Sequence, residues 1–189
     1  MHNIDKKEYL RRRISPNEDF EKLLEFPRFL EIETVNTCNA RCPMCTIDEW
    51  TRNSPTMKDG LFAKISDEIE EFAPLMKRVS LYRDGEPLLD KKLPDRISRL
   101  KEVGVKKVSI ATNVSLLNED RAKRLLNAGL DHIILSIDSL KKHVFESIRV
   151  RLNFEEVMEN AQRFIELRNK MRPETEIIVR MIRQESNKE

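Results

Sequence analysis

The run Phe29-Leu-Glu-Ile-Glu-Thr-Val-Asn-Thr-Cys38-Asn-Ala-Arg-Cys42-Pro-Met-Cys45 changes character half-way. Its first seven residues alternate apolar and polar, the period of a half-buried strand. The alternation then stops, and a polar loop carries every cysteine of the chain, Cys38, Cys42 and Cys45. A strand that runs straight into three clustered thiols presents them together at its carboxyl end. Three thiolates are one short of the four that close a structural metal site. A metal centre with three protein ligands keeps one coordination position free for something that reacts.

Zinc on these cysteines asks for a fourth ligand in a tetrahedron. The chain offers His2, His132 and His143. His2 belongs to the terminus, His132 opens a strand at the end opposite the cysteine loop, and His143 falls in a helix beyond that strand. Asp48 is the remaining candidate. Soft thiolates select zinc or iron–sulfur. Spacings of three and two residues let one loop wrap three corners of a cubane, leaving the fourth iron for an outside ligand. An iron–sulfur cluster is the favoured reading. The alternatives are a zinc-stabilised, non-catalytic binding module and three unrelated thiols.

Composition narrows the setting. The 189 residues suffice for one domain with a sizeable core, and 39% hydrophobic against 36% charged is an ordinary soluble balance. Lys+Arg at 35 nearly matches Asp+Glu at 33, so no basic field advertises nucleic acid. Met1-His-Asn-Ile-Asp-Lys-Lys lacks the apolar core of a signal peptide. No apolar run approaches the roughly 18 residues of a membrane span. An odd cysteine count makes a poor disulfide framework. These features predict a reducing, cytoplasmic setting, with no membrane and no nucleic-acid partner.

Working outward from the cysteines, residues 1–27 read as a polar N-terminal helical extension, with Leu23, Leu24 and Phe26 available to dock on a core. Residues 28–189 read as one further unit. Beyond the first strand, Arg78-Val-Ser-Leu-Tyr82, Lys107-Val-Ser-Ile-Ala111, His132-Ile-Ile-Leu-Ser-Ile137 and Glu176-Ile-Ile-Val-Arg-Met-Ile182 are four more strand-like runs. Helical spacing lies between them: Leu61, Ile65, Ile69 and Phe72; Leu93, Ile97, Leu100 and Val103; and Phe154, Val157, Ala161 and Ile165. Pro94 fits a first turn, Asn118 an N-cap and Gly129 a helix end. Strands alternating with helices predict an α/β fold with a parallel sheet and right-handed crossovers. The loops after strands two, three and four carry Arg83-Asp-Gly-Glu-Pro87, Thr112-Asn113 and Ser136-Ile-Asp138. In a parallel sheet these loops share one face with the cysteines, where such folds bind ligands.

Cys-x3-Cys-x2-Cys after a first strand resembles the defining motif of radical S-adenosylmethionine (SAM) enzymes. Asp84-Gly85-Glu86-Pro87 resembles the family's Gly-Gly-Glu-Pro motif, and Ile110-Ala-Thr-Asn113 its third-strand Thr-Asn-Gly segment. Leu135-Ser-Ile-Asp-Ser139 is similar to the fourth-strand ribose-contacting segment, and Phe145 to Phe154 to the stretch that follows it. The resemblance spans about residues 29–189. Three positions depart from it: Met44 replaces a frequent aromatic, Asp84 the first glycine, and Val114 the glycine after Asn113.

The resemblance implies a division of labour. Cys38, Cys42 and Cys45 hold a [4Fe-4S] cluster whose fourth iron is chelated by SAM. Gly85, Glu86 and Pro87 receive the SAM amino group, mainly through loop carbonyls. Met44 packs on the adenine, and Ser136 and Asn113 meet the ribose. Asp138 either contacts the ligand or caps the next helix. Arg149 or Arg151 pairs with the SAM carboxylate, with Arg151 the chosen candidate. Thr112 supports the backbone, and Glu86 alone would read as a solvated loop charge. An electron from a flavodoxin or ferredoxin cleaves SAM to a 5′-deoxyadenosyl radical, which takes a hydrogen atom from a peptide, protein or sugar-like substrate. The family core implies a partial, TIM-like (βα)6 barrel. Five βα units are legible here, so the expectation is the N-terminal core portion of a longer enzyme of the SPASM/twitch-like subgroup. That subgroup's auxiliary cysteines are absent from these residues.

Overall fold

The computed structural model of the chain describes residues 24, 26–51 and 55–188. Five strands form one sheet: β1 (Phe29–Glu31), β2 (Arg78–Ser80), β3 (Val108–Thr112), β4 (His132–Ser136) and β5 (Glu176–Arg180). Five α-helices lie among the described residues. They are α1 (Asp59–Phe72), α2 (Leu93–Glu102), α3 (Glu119–Asn127), α4 (Lys142–Ile148) and α5 (Phe154–Met171). All strand pairs are parallel and the spatial order is β1-β2-β3-β4-β5. Each crossover therefore steps the same way round, without the reversal of a doubly wound sheet. This is the winding of a partial TIM-like barrel.

Strand alternation gives the sheet two chemically different faces. Val79, Leu81, Val108, Ile110, Ile133 and Leu135 face the helices and are buried in one apolar core. The concave face carries Ser80, Ser109, Ala111 and Ser136 instead. The Oγ atoms of Ser80 and Ser109 lie 2.9 Å apart across β2 and β3. Small polar side chains leave room inside the curl, unlike the branched apolar layers that fill a complete barrel. At the far side, β5 exposes Ile178, Val179 and, just beyond it, Met181 and Ile182.

The helices follow their sequence signals with two shifts of phase. Leu93, Ile97, Leu100 and Val103 of α2 are all buried, with Pro94 in its first turn. Asn118 caps α3 through a hydrogen bond from Arg121 N at 3.0 Å. The buried stripe of α1 is Phe62, Ser66 and Ile69, and Leu61 is exposed. On α5 the buried residues are Val157, Asn160, Ala161 and Phe164 rather than Phe154 and Ile165. In both cases adjacent apolar residues left the helix phase open by one position. Most of the predicted 1–27 extension, Leu23 included, lies outside the described residues. Phe26 does dock, stacked on Phe72 at 4.6 Å; Leu24 is exposed.

Between β1 and α1 the chain loops out through the cysteines and returns. Met57 N donates to Thr34 O at 2.8 Å and Asn36 N to Pro55 O at 2.9 Å. A buried ion pair fastens that return. Arg96 Nε donates to Asp90 Oδ2 at 2.8 Å, Arg96 Nη2 donates to Met57 O at 2.9 Å, and the guanidinium lies over Phe62. Both partners are almost fully buried. Removing one leaves the other charge desolvated without compensation. Arg96→Met is expected to lower the unfolding free energy by about 3–5 kcal/mol in urea titration of the metal-free protein. A loss under about 1 kcal/mol would contradict the pair's anchoring role.

Candidate active site

The strand ends meet above the concave face because the loop after β2 presses against the loop after β1. A Cβ on Gly85 would lie 2.2 Å from Val35 O, so only glycine permits the approach. Glu86 N then donates to Thr37 O at 2.8 Å, one residue before Cys38. The Glu86 carboxylate turns inward and is almost fully buried, which corrects its reading as a solvated loop charge. Thr112 Oγ1 donates to it at 2.7 Å, Asn113 N at 2.8 Å and Leu88 N at 3.1 Å. Burial pushes the Glu86 pKa up; the bonds from Asn113, Thr112 and Leu88 restrain the rise. Thr112 supports the backbone as expected, since its Oγ1 also accepts from Val114 N at 3.0 Å.

The cysteine loop is held by donors on all sides. Arg41 Nη1 donates to Cys38 O at 2.7 Å and to Ala40 O at 2.8 Å. Arg41 N donates to Val150 O at 3.0 Å, joining this loop to the one after α4. Two sulfurs receive N–H groups directly. Cys38 Sγ accepts from Ala40 N at 3.4 Å and Asn113 Nδ2 at 3.8 Å, and Cys42 Sγ from Arg149 Nη1 at 3.7 Å. Burial raises the pKa of both thiols. Ala40 and Asn113 oppose the rise at Cys38, and Arg149 opposes it at Cys42. Donors aimed at sulfur favour the thiolate, the form that ligates metal.

All three thiols line one open cavity of about 270 Å³. Of the residues predicted for SAM, Met44, Gly85, Glu86, Asn113 and Ser136 also line it, whereas Pro87, Asp138 and Arg151 do not. Pro87 is buried at the start of a short 3-10 turn, Pro87–Leu89. Arg151 is exposed, with its backbone at φ 76°; the arginine that reaches the cavity is Arg149. Asp138 does not cap α4, which has no side-chain cap at its N-terminus. Its buried carboxylate instead takes Arg149 Nε at 2.6 Å and Ile182 N at 2.8 Å. Asp138 thus orients Arg149 toward Cys42 and fastens the end of β5.

Asn113 is engaged on both sides of its amide. Its Nδ2 donates to Asn39 Oδ1 at 2.9 Å, and its Oδ1 accepts from Ser115 N at 3.1 Å and Ser115 Oγ at 2.7 Å. Sequence reasoning missed Arg180, which lines the cavity with Nη2 3.4 Å from Ser136 Oγ. Its inward position on β5 was the available signal. Among the described residues, no three His, Cys, Asp or Glu side chains are grouped to hold a single metal ion. His132 is buried and His143 lies away from the cavity lining; His2 lies outside the described residues. Three thiols lining one cavity are the donor set that a cluster with an open iron takes.

The radical SAM superfamily model matches residues 32–184. The chain belongs to the radical SAM superfamily. A [4Fe-4S] cluster and SAM are the cofactors of that family. Over 113 residues the chain is 33% identical to a tungsten-containing aldehyde ferredoxin oxidoreductase cofactor-modifying protein of Pyrococcus furiosus, covering 60% of this chain and 31% of the relative. Over 143 residues it is 33% identical to a GTP 3',8-cyclase of Limosilactobacillus fermentum, covering 75% and 42%. It also resembles Streptococcus suis SuiB bound to S-adenosylmethionine, with a TM-score of 0.67, 18% identity, and 87% and 38% of the two chains covered. The chain thus spans about a third to two-fifths of the length of these relatives. Among the described residues no helix is long and apolar enough to cross a membrane.

Glu86 gives the site a pH signature. A folded pKa raised above the unfolded value of about 4.3 means that the native state holds the proton more tightly. The stability this group contributes is fully present below about pH 4.3 and is lost as pH rises through the folded value. The urea midpoint of the metal-free wild type, relative to Glu86→Gln, is therefore expected to rise as pH falls through the raised folded value toward about 4.3. Parallel pH profiles for the two proteins would contradict a buried, desolvated carboxylate.

Proposed function

We propose that these residues form the radical-generating core of a radical SAM oxidoreductase or maturase. Cys38, Cys42 and Cys45 would hold a [4Fe-4S] cluster, and the adjoining cavity would seat SAM. The observation that carries this reading is the convergence of the three thiols on one cavity, with Asn113 and Arg149 aimed at two of the sulfurs. A [4Fe-4S] cluster and SAM held there would supply one-electron radical chemistry able to take a hydrogen atom from substrate. Such chemistry leaves the protein to supply position and a dry, shaped cavity.

This chain's residues divide that work. The backbone of Gly85 and its neighbours offers carbonyl acceptors to the SAM amino group. Arg149, held by Asp138, offers a guanidinium to the carboxylate, which replaces the expectation for Arg151. Ser136 offers its hydroxyl to the ribose, and Met44 its thioether to the adenine. Asn113, whose amide is already engaged, acts through the cysteine loop rather than on ribose. Pro87 fixes the turn behind Glu86. A peptide, protein or sugar-like substrate would approach over the concave face, where Ser80 and Ser109 leave space. A cytoplasmic flavodoxin or ferredoxin would deliver the electron.

Anaerobic reconstitution with iron and sulfide tests the reading. The expected result is visible iron–sulfur absorbance with about four irons per chain, lost in Cys42→Ala. Under reduction, the native protein is expected to release 5′-deoxyadenosine from SAM. One zinc per chain and no SAM binding would overturn it in favour of a zinc-stabilised module.

A further inference from the structure

Val114 adopts φ 71°, in the left-handed region that β-branched residues rarely enter. Its side chain is fully buried, so the turn cannot relax without moving core atoms. An unfavourable backbone conformation persists only where surrounding contacts over-determine it. One contact comes from a distant helix. Asn160, on α5, donates its Nδ2 to Val114 O at 3.2 Å and to Ser115 O at 3.1 Å.

Asn160 shares the buried face of α5 with Val157, Ala161 and Phe164. Helical spacing calls for an apolar residue there, and a buried amide is costly unless bonded. Its bonds go to the strained turn. From that turn a continuous path leads to the cluster ligands. Ser115 N and Oγ donate to Asn113 Oδ1, and Asn39 Nδ2 donates to Ser115 Oγ at 2.8 Å. Asn113 Nδ2 reaches Asn39 Oδ1 and Cys38 Sγ.

We propose that Asn160 is a positioning residue for the cluster site: it pins the Val114 turn and, through Ser115, Asn113 and Asn39, sets the position of Cys38. The cluster part of this inference rests on the function proposed above; the placement of the Cys38 thiol does not. Asn160 touches neither cavity nor thiol, and its effect travels through the backbone of residues 114 and 115. Glycine adopts positive φ without strain, so Val114→Gly should remove the turn's dependence on Asn160.

The test uses the whole chain with Asn160→Leu, close in volume but without hydrogen bonds, alone and combined with Val114→Gly. After reconstitution, Asn160→Leu is expected to retain iron about 10- to 100-fold less tightly in chelator competition, the usual range for a group supporting a metal ligand. The midpoint potential of the remaining cluster should shift. In metal-free protein, Cys38 should react with iodoacetamide about tenfold more slowly in Asn160→Leu, because withdrawing a donor from its sulfur disfavours the reactive thiolate by about 1.4 kcal/mol. Adding Val114→Gly should return both readouts most of the way to wild type. Wild-type iron retention and alkylation in Asn160→Leu would overturn the proposal, as would a double variant no better than the single one. If Asn160→Leu fails to fold by far-ultraviolet circular dichroism, Asn39→Ala cuts the same path outside the core; unchanged Cys38 alkylation there also overturns it. If wild type binds no cluster, the functional reading fails, and the alkylation rates alone still decide the role of Asn160.

Discussion

The buried Glu86 carboxylate accepts three hydrogen bonds, and the placement of the site depends on it. Thr112 and Asn113 reach it from the end of β3, Leu88 from its own turn, while its backbone N–H holds Thr37 in the loop after β1. The chain beyond β1, β2 and β3 is thereby tied at one residue. Gly85 is obligatory for the same reason, because any side chain there would meet Val35 O and push the two loops apart. A buried carboxylate is costly when its partners are lost, so the junction tends to be made completely or not at all.

From that junction the rest of the site follows by short steps. Thr37 leads into Cys38, and Asn113 continues from Glu86 to the Cys38 sulfur. On the opposite wall, Asp138 holds Arg149 against Cys42 and also binds Ile182 N, so the fourth and fifth strand ends are coupled as well. Cys38 takes its side-chain donor from Asn113 at the end of β3, and Cys42 takes its own from Arg149 at the end of α4. That arrangement supports thiolate ligands while leaving the concave face open, with small serines where a complete barrel would place bulky aliphatic layers.

Much of this was legible in the sequence because it rests on local pattern. Alternation marked β1 and short β-branched runs marked the other four strands, and Asn118, Gly129 and Pro94 marked helix ends by their own backbone preferences. The cysteine spacing and the clusters at Gly85, Asn113 and Ser136 named residues that do line the cavity. What stayed hidden depends on contacts between distant parts of the chain. The burial of Glu86 needs β3, 26 residues away. The pairing of Asp138 with Arg149 rather than with a helix end is set by how α4 turns back. Asn160 looks like an ordinary polar residue until the neighbouring turn is seen, and Arg180 lacks a motif around it. Val114 was visible as a departure from the family pattern, but only the fold shows that the turn keeps a positive φ despite it.

In the function proposed here, Cys38, Cys42 and Cys45 would hold three irons of a cluster and SAM would take the fourth position. Mössbauer spectroscopy of the reconstituted, iron-isotope-labelled protein addresses that position directly. Addition of SAM is predicted to change the signal of one iron of the four while the three cysteine-bound irons keep theirs. A spectrum with all irons unaltered by SAM would contradict the proposed function.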